Sequence, residues 1–149
     1  MPTKARTLSG PESRSWAGGP SAIARRACEK AAWNAEPVDL EPGAYTVILE
    51  PEATAELAYW LLSAMDARAA EEGRSFFSKA GGGSLIGERL FDPRMTLRID
   101  PADMLAPEGA FDAEGLPHHR RAFIDKGVAT TLHLSRVWAQ KTHAPPIPY

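Results

Sequence analysis

A chain of 149 residues suits one domain and is long enough to bury a core of ordinary size. Hydrophobic residues make up 44% and charged residues 24%, the profile of a soluble globular protein. Counting 17 basic against 19 acidic side chains gives a net charge of −2, which leaves no basic excess for nucleic acid and no like-charged block for a membrane surface.

The lone Cys28 can form no internal disulfide, so a reducing compartment fits. The opening MPTKARTLSGPESRSW has no apolar run after its positive charges, so no secretory signal is expected. The longest apolar stretch, from Leu57 to Met65, is too short to span a bilayer. A cytoplasmic protein follows as the expectation.

Residues 1–20 are polar and rich in Gly and Pro, and read as disordered or extended. Ser21 then offers an N-cap, and Ile23, Ala27, Ala31 and Ala35 recur at helical spacing from Ala22 onward, with Cys28 expected to pack beside that stripe. Pro37 and Pro42-Gly43 end this helix. Ala44 to Leu49 is rich in β-branched and aromatic residues between Gly43 and Pro51, which predicts a buried strand. From Pro51 to Glu72 the spacing of Leu57, Leu61, Met65 and Ala69 predicts one helix, closed by Gly73.

Gly81-Gly82-Gly83 lacks the lysine and hydroxyl of a P-loop and reads as a turn. Arg94 to Ile99 alternates like a half-exposed strand, and Pro101 to Pro117 reads as a loop. Arg121 to Asp125 and Val128 to Ser135 then form a hairpin about Asp125-Lys126-Gly127. In the second of these strands Val128, Thr130, Leu132 and Leu134 share one face. The domain is expected to run from 21 to 142, with 143–149 a proline-rich tail. The fold class is α+β, with a mainly antiparallel sheet and two packed helices.

Few residues invite chemistry. The four histidines show no HExxH pattern, since His118 and His119 are adjacent in a loop, His133 lies on a predicted strand and His143 in the tail. No metal and no cofactor are expected. No GxSxG elbow marks a serine nucleophile. In Phe111-Asp112-Ala113-Glu114-Gly115-Leu116-Pro117, the two carboxylates either cap a turn or act as acid and base; the turn, with Asp112 accepting from nearby amides before Gly115, is the favoured reading.

At this loop the sequence resembles a known family. Asp112, Glu114, Gly115 and Pro117, then Ile124, Lys126-Gly127-Val128, Leu134, Arg136 and Ala139, are similar to the FD-x-EG-x-P loop and following strands of TldD/PmbA proteins. Upstream, Glu41 to Pro51, Gly73-Arg74-Ser75-Phe76 and Gly87-Glu88-Arg89-Leu90-Phe91-Asp92-Pro93 match family segments in the same order, so the resemblance covers residues 22–142. It implies a bacterial or archaeal cytoplasmic protein associated with peptide degradation or maturation, in which a TldD-type subunit binds zinc through an HExxxH helix and a PmbA-type (TldE) partner lacks those residues. Carried onto the helix beginning at Pro51, that motif falls on Ala58, Tyr59 and Ser63, which supply neither imidazoles nor a general base. The resemblance therefore implies part of the C-terminal domain of a non-catalytic PmbA/TldE-like subunit or a truncated remnant, with catalytic residues none. Its expected partners are a TldD-type zinc-binding subunit, or a second copy joined through exposed strands, with a peptide as substrate and neither nucleic acid nor membrane. An independent small hydrolase using the Asp112/Glu114 loop, or a non-functional fragment, are the alternatives.

Overall fold

The structure, a computed structural model, describes residues 19–103 and 109–149. The expected extended segment 1–20 lies almost wholly outside the described residues, as do five residues of the 101–117 loop. The chain divides into two units, 1–54 and 55–149, and each is described by itself.

In the first unit α1 spans Gly19–Trp33 and buries no residue. Cys28 is exposed, against the expected packing role, on a helix whose residues are all at least partly open to solvent. Ion pairs link the helix to Glu50 and Glu52. Arg26 Nη2 lies 2.7 Å from Glu50, and Lys30 Nζ lies 3.2 Å from Glu52 while also reaching Glu50. Such pairs contribute little in solvent.

The stretch from Ala44 to Leu49 corrects a second expectation. It joins no strand, and among the described residues its backbone makes no hydrogen bond. Val47 is 67% and Ile48 99% exposed, so the segment is not buried. The physical reason is the lack of a mate: β propensity measures fit to a neighbouring strand, and the described part of this unit contains none.

The predicted long helix is two. α2 runs Pro51–Ser63 and α3 Ala67–Glu71. Between them the backbone serves a distant residue, for His133 N–H donates to Met65 O (2.7 Å) and Ala67 N–H donates to His133 O (2.9 Å). Those groups cannot also continue a helical ladder. Asp66 restarts the helix as N-cap, its carboxylate accepting from Ala69 N–H at 2.7 Å.

The second unit, 55–149, centres on a three-stranded antiparallel sheet of β1 (Leu97–Ile99), β2 (Arg121–Asp125) and β3 (Val128–Ala129), in the order β1-β2-β3. With its helices this is the α+β class expected. Met65, Phe77, Phe123 and Ile124 are the largest fully buried side chains, joined by Ala70, Ala129 and Leu132. Leu61 and Leu62 of α2 pack on this cluster, whereas Leu57 stays 57% exposed.

After β3 the expected alternation slips. Ala129 is buried and Thr130 exposed, yet Leu132 is buried again. Both Thr130 and Thr131 N–H groups converge on Phe123 O, at 2.9 and 3.4 Å, which accommodates one extra residue and shifts the phase. A fourth helix, α4 (Arg136–Thr142), stands where the expected strand closes, capped by Ser135.

The hairpin turn is the tightest point of the unit. Gly127 has φ +81°, and a Cβ there would sit 2.3 Å from Phe91 O and 2.8 Å from Asp92 O. A Gly127→Ala chain should therefore lose on the order of 1–3 kcal/mol from the left-handed backbone alone, with the clash added, which a fall in thermal midpoint would register. Phe77→Ala, which empties the largest core position, should cost roughly 3–5 kcal/mol by denaturant titration.

Candidate functional site

The FDAEGLP loop closes on itself. Phe111 and Pro117 form an antiparallel bridge, and His118 N–H donates to Ala110 O at 2.9 Å. Within it, Asp112 Oδ1 accepts from Glu114 N–H (2.9 Å) and Leu116 N–H (2.8 Å). Gly115 has φ +72°, the left-handed conformation that lets the chain fold back over the carboxylate, and Pro117 ends the loop. Glu114 reaches away from the turn: its Oε2 accepts from Arg136 N–H at 2.9 Å, an anion at the start of α4.

Burial pushes the Asp112 carboxyl up, but the N–H groups of Leu116, Glu114 and Tyr149, with the nearby His118, hold it below its usual value. A carboxylate that accepts from amide donors is a poor proton acceptor.

The segment 144–149 folds back onto the unit. His143, at φ +55°, ends α4 in the left-handed conformation, and Ala144 N–H donates to Ala139 O at 3.0 Å. Ile147 then pairs antiparallel with Leu134, with N–H···O distances of 2.9 and 3.0 Å. Although prolines bar a regular element here, they do not bar this bridge.

Tyr149 brings two separate motifs together. Its ring meets the edge of His133 at 5.2 Å and 85°, and its backbone oxygen lies 2.9 Å from His118 Nε2. His118 Nδ1 lies 2.7 Å from Gly109 O. A neutral imidazole donates to one of these oxygens at a time, the protonated ring to both. Burial pushes the Tyr149 phenol above its ordinary value, Tyr59 adds to this, and the Ser63 hydroxyl partly offsets it. Thus Tyr59 and Ser63 of α2 and Asp112 of the loop all bear on Tyr149. Ala58 lies one residue before Tyr59 on the same helix. The contributions of His118, His133 and Tyr149 carry no local motif, because residues 31 positions apart meet only through the fold.

As metal ligands these residues do not fit. Ser63 Oγ donates to Trp60 O at 2.7 Å, Tyr59 is 61% exposed against Trp60, and among the described residues no three His, Cys, Asp or Glu side chains converge.

An α+β unit with this loop belongs to a defined class. Residues 42–146 match the PmbA/TldA metallopeptidase C-terminal domain, and the chain belongs to that family. A Bacteroides thetaiotaomicron protein described as a candidate modulator of DNA gyrase is similar at 25% identity and TM-score 0.66, over 83% of this chain. TldE from Thermococcus kodakarensis shares the fold at 22% identity and TM-score 0.59, over 86% of this chain. The chain spans 28% of the length of each of these two proteins. No curated protein matches it. Among the described residues no helix is long and apolar enough to cross a membrane.

The lowered Asp112 carboxyl sets a pH dependence. Its folded value lies below its ordinary 3.8, so its contribution to stability is present above that value and is lost as pH falls through the folded one. Asp112→Asn should flatten the acid limb of stability against pH while leaving the neutral-to-alkaline limb unchanged, as thermal unfolding across a pH series would record.

Proposed function

We propose that this chain is a PmbA/TldE-like, non-catalytic member of its family, a cytoplasmic subunit or remnant that serves peptide degradation or maturation beside a TldD-type zinc-binding subunit. The observation that carries this reading is the family match over residues 42–146 together with Ala58, Tyr59 and Ser63 on α2, where an HExxxH helix would need two imidazoles and a carboxylate. Its own contribution would be surface and shape, with the loop of Asp112, Glu114, Gly115 and Pro117 helping to form a peptide-contacting wall. An independent hydrolase built on Asp112 and Glu114 is disfavoured, because both carboxylates already accept backbone N–H bonds.

Two measurements test the proposal. Purified chain should hold no stoichiometric zinc by metal analysis; tightly bound zinc at one ion per chain would contradict it. Mixed with a relative that carries HExxxH, the chain should co-elute as a hetero-complex, and separate elution at micromolar concentrations would remove the subunit role.

A further inference from the structure

After β3 the chain offers its backbone groups to two sides alternately, through isolated bridges at His133 and Leu134. His133 turns its N–H and C=O toward Met65 and Ala67, and Leu134, one residue on, turns its own pair to the opposite side. On that side the only backbone partner among the described residues is Ile147, which donates to Leu134 O and accepts from Leu134 N–H. The backbone pair of Leu134 is thus met by a segment of the same chain, through an isolated antiparallel bridge outside the three-stranded sheet.

That segment is attached in the manner of a bound peptide. Its main chain supplies the reciprocal bonds at Ile147, and Pro148, which has no N–H, occupies the next position, where none is needed. Its aromatic residue, Tyr149, lies against His133, and its backbone oxygen faces His118 Nε2. No residue of 144–149 belongs to the buried cluster of Met65, Ala70, Phe77, Phe123, Ile124, Ala129 and Leu132. Removing the segment therefore frees the backbone groups of Leu134 without taking a member from that cluster.

We propose that the surface formed by Leu134, His133, His118 and the Asp112 loop is a peptide-binding site for extended segments of the pattern apolar-Pro-aromatic, and that Ile147-Pro148-Tyr149 is its resident, self-blocking occupant. Main-chain pairing at Leu134 supplies strand addition, and the His133 face selects the aromatic side chain two residues on. The site deepens the peptide-handling role proposed above by naming a segment chemistry and a built-in competitor. It does not depend on a catalytic partner, so pairing and peptide binding can fail separately.

The test uses the full chain and a fluorescein-labelled peptide, Ala-Pro-Pro-Ile-Pro-Tyr, read by fluorescence anisotropy. The variant Ile147→Pro/Tyr149→Ala removes the donor to Leu134 and the aromatic ring of the resident segment. It should bind the peptide about tenfold more tightly than the unmodified chain, the factor for a resident segment that leaves the site open about a tenth of the time. Replacing the peptide's tyrosine by alanine, or adding His118→Ala to the variant, should weaken binding several-fold. Equal affinity for variant and unmodified chain, or no binding by a variant that still unfolds cooperatively, would overturn the proposal. So would loss of cooperative unfolding in both the double variant and Tyr149→Ala alone, since the segment would then be a structural strand.

Discussion

The second unit depends on one close approach of backbone to backbone. At Lys126-Gly127 the hairpin turn lies against the segment 87–96, and nearly every polar group in reach is used. Gly127 N–H donates to Met95 O, Leu90 and Phe91 N–H groups donate to Gly127 O, and Lys126 N–H donates to Thr96 Oγ1. Arg89 adds a bond from its guanidinium to Lys126 O. With no Cβ at 127 the two chains come within hydrogen-bonding distance, and Leu90, Phe91 and Met95 are thereby delivered to the core cluster. The irregular segment needs no strand of its own, because the turn supplies its partners.

The polar loop obeys a similar economy. Asp112 organises its own turn, Glu114 caps α4, and α4 in turn presents Trp138, whose indole N–H donates to Glu71 at 2.9 Å while Arg68 and Lys141 lie over its ring. One loop therefore sets both the start of the last helix and the position from which segment 144–149 turns back. This explains how a chain with few chemically reactive groups can still hold a defined surface: its charges act on backbone donors and neighbouring rings.

What was legible in the sequence was local. The Asp112 turn could be read because its bonds from Glu114 and Leu116 N–H lie within four residues, and the hairpin because Gly127 sits between two apolar runs. The ordered family segments were legible for the same reason, each being a short contiguous run. The failures were non-local. The helical spacing of Leu57, Leu61, Met65 and Ala69 continues through a point where His133 diverts the backbone. The start of α4 is hidden because Leu132 and Leu134 prolong a strand-like pattern up to its cap. The meeting of Tyr149 with His118 and His133 has no signature at all, since it follows from the pairing at Leu134.

The segment Ala44–Leu49 has a kinetic consequence. Amides that are neither bonded nor covered exchange their hydrogens with water almost as fast as a free peptide does, whereas those of Ala129 and Thr130, bonded to Glu88 and Phe123, wait for the sheet to open. The chain thus carries two clocks. Anything that comes to lie along 44–49 and takes up its main-chain groups would announce itself as a slowing of the fast one, residue by residue, while the slow one stayed unchanged.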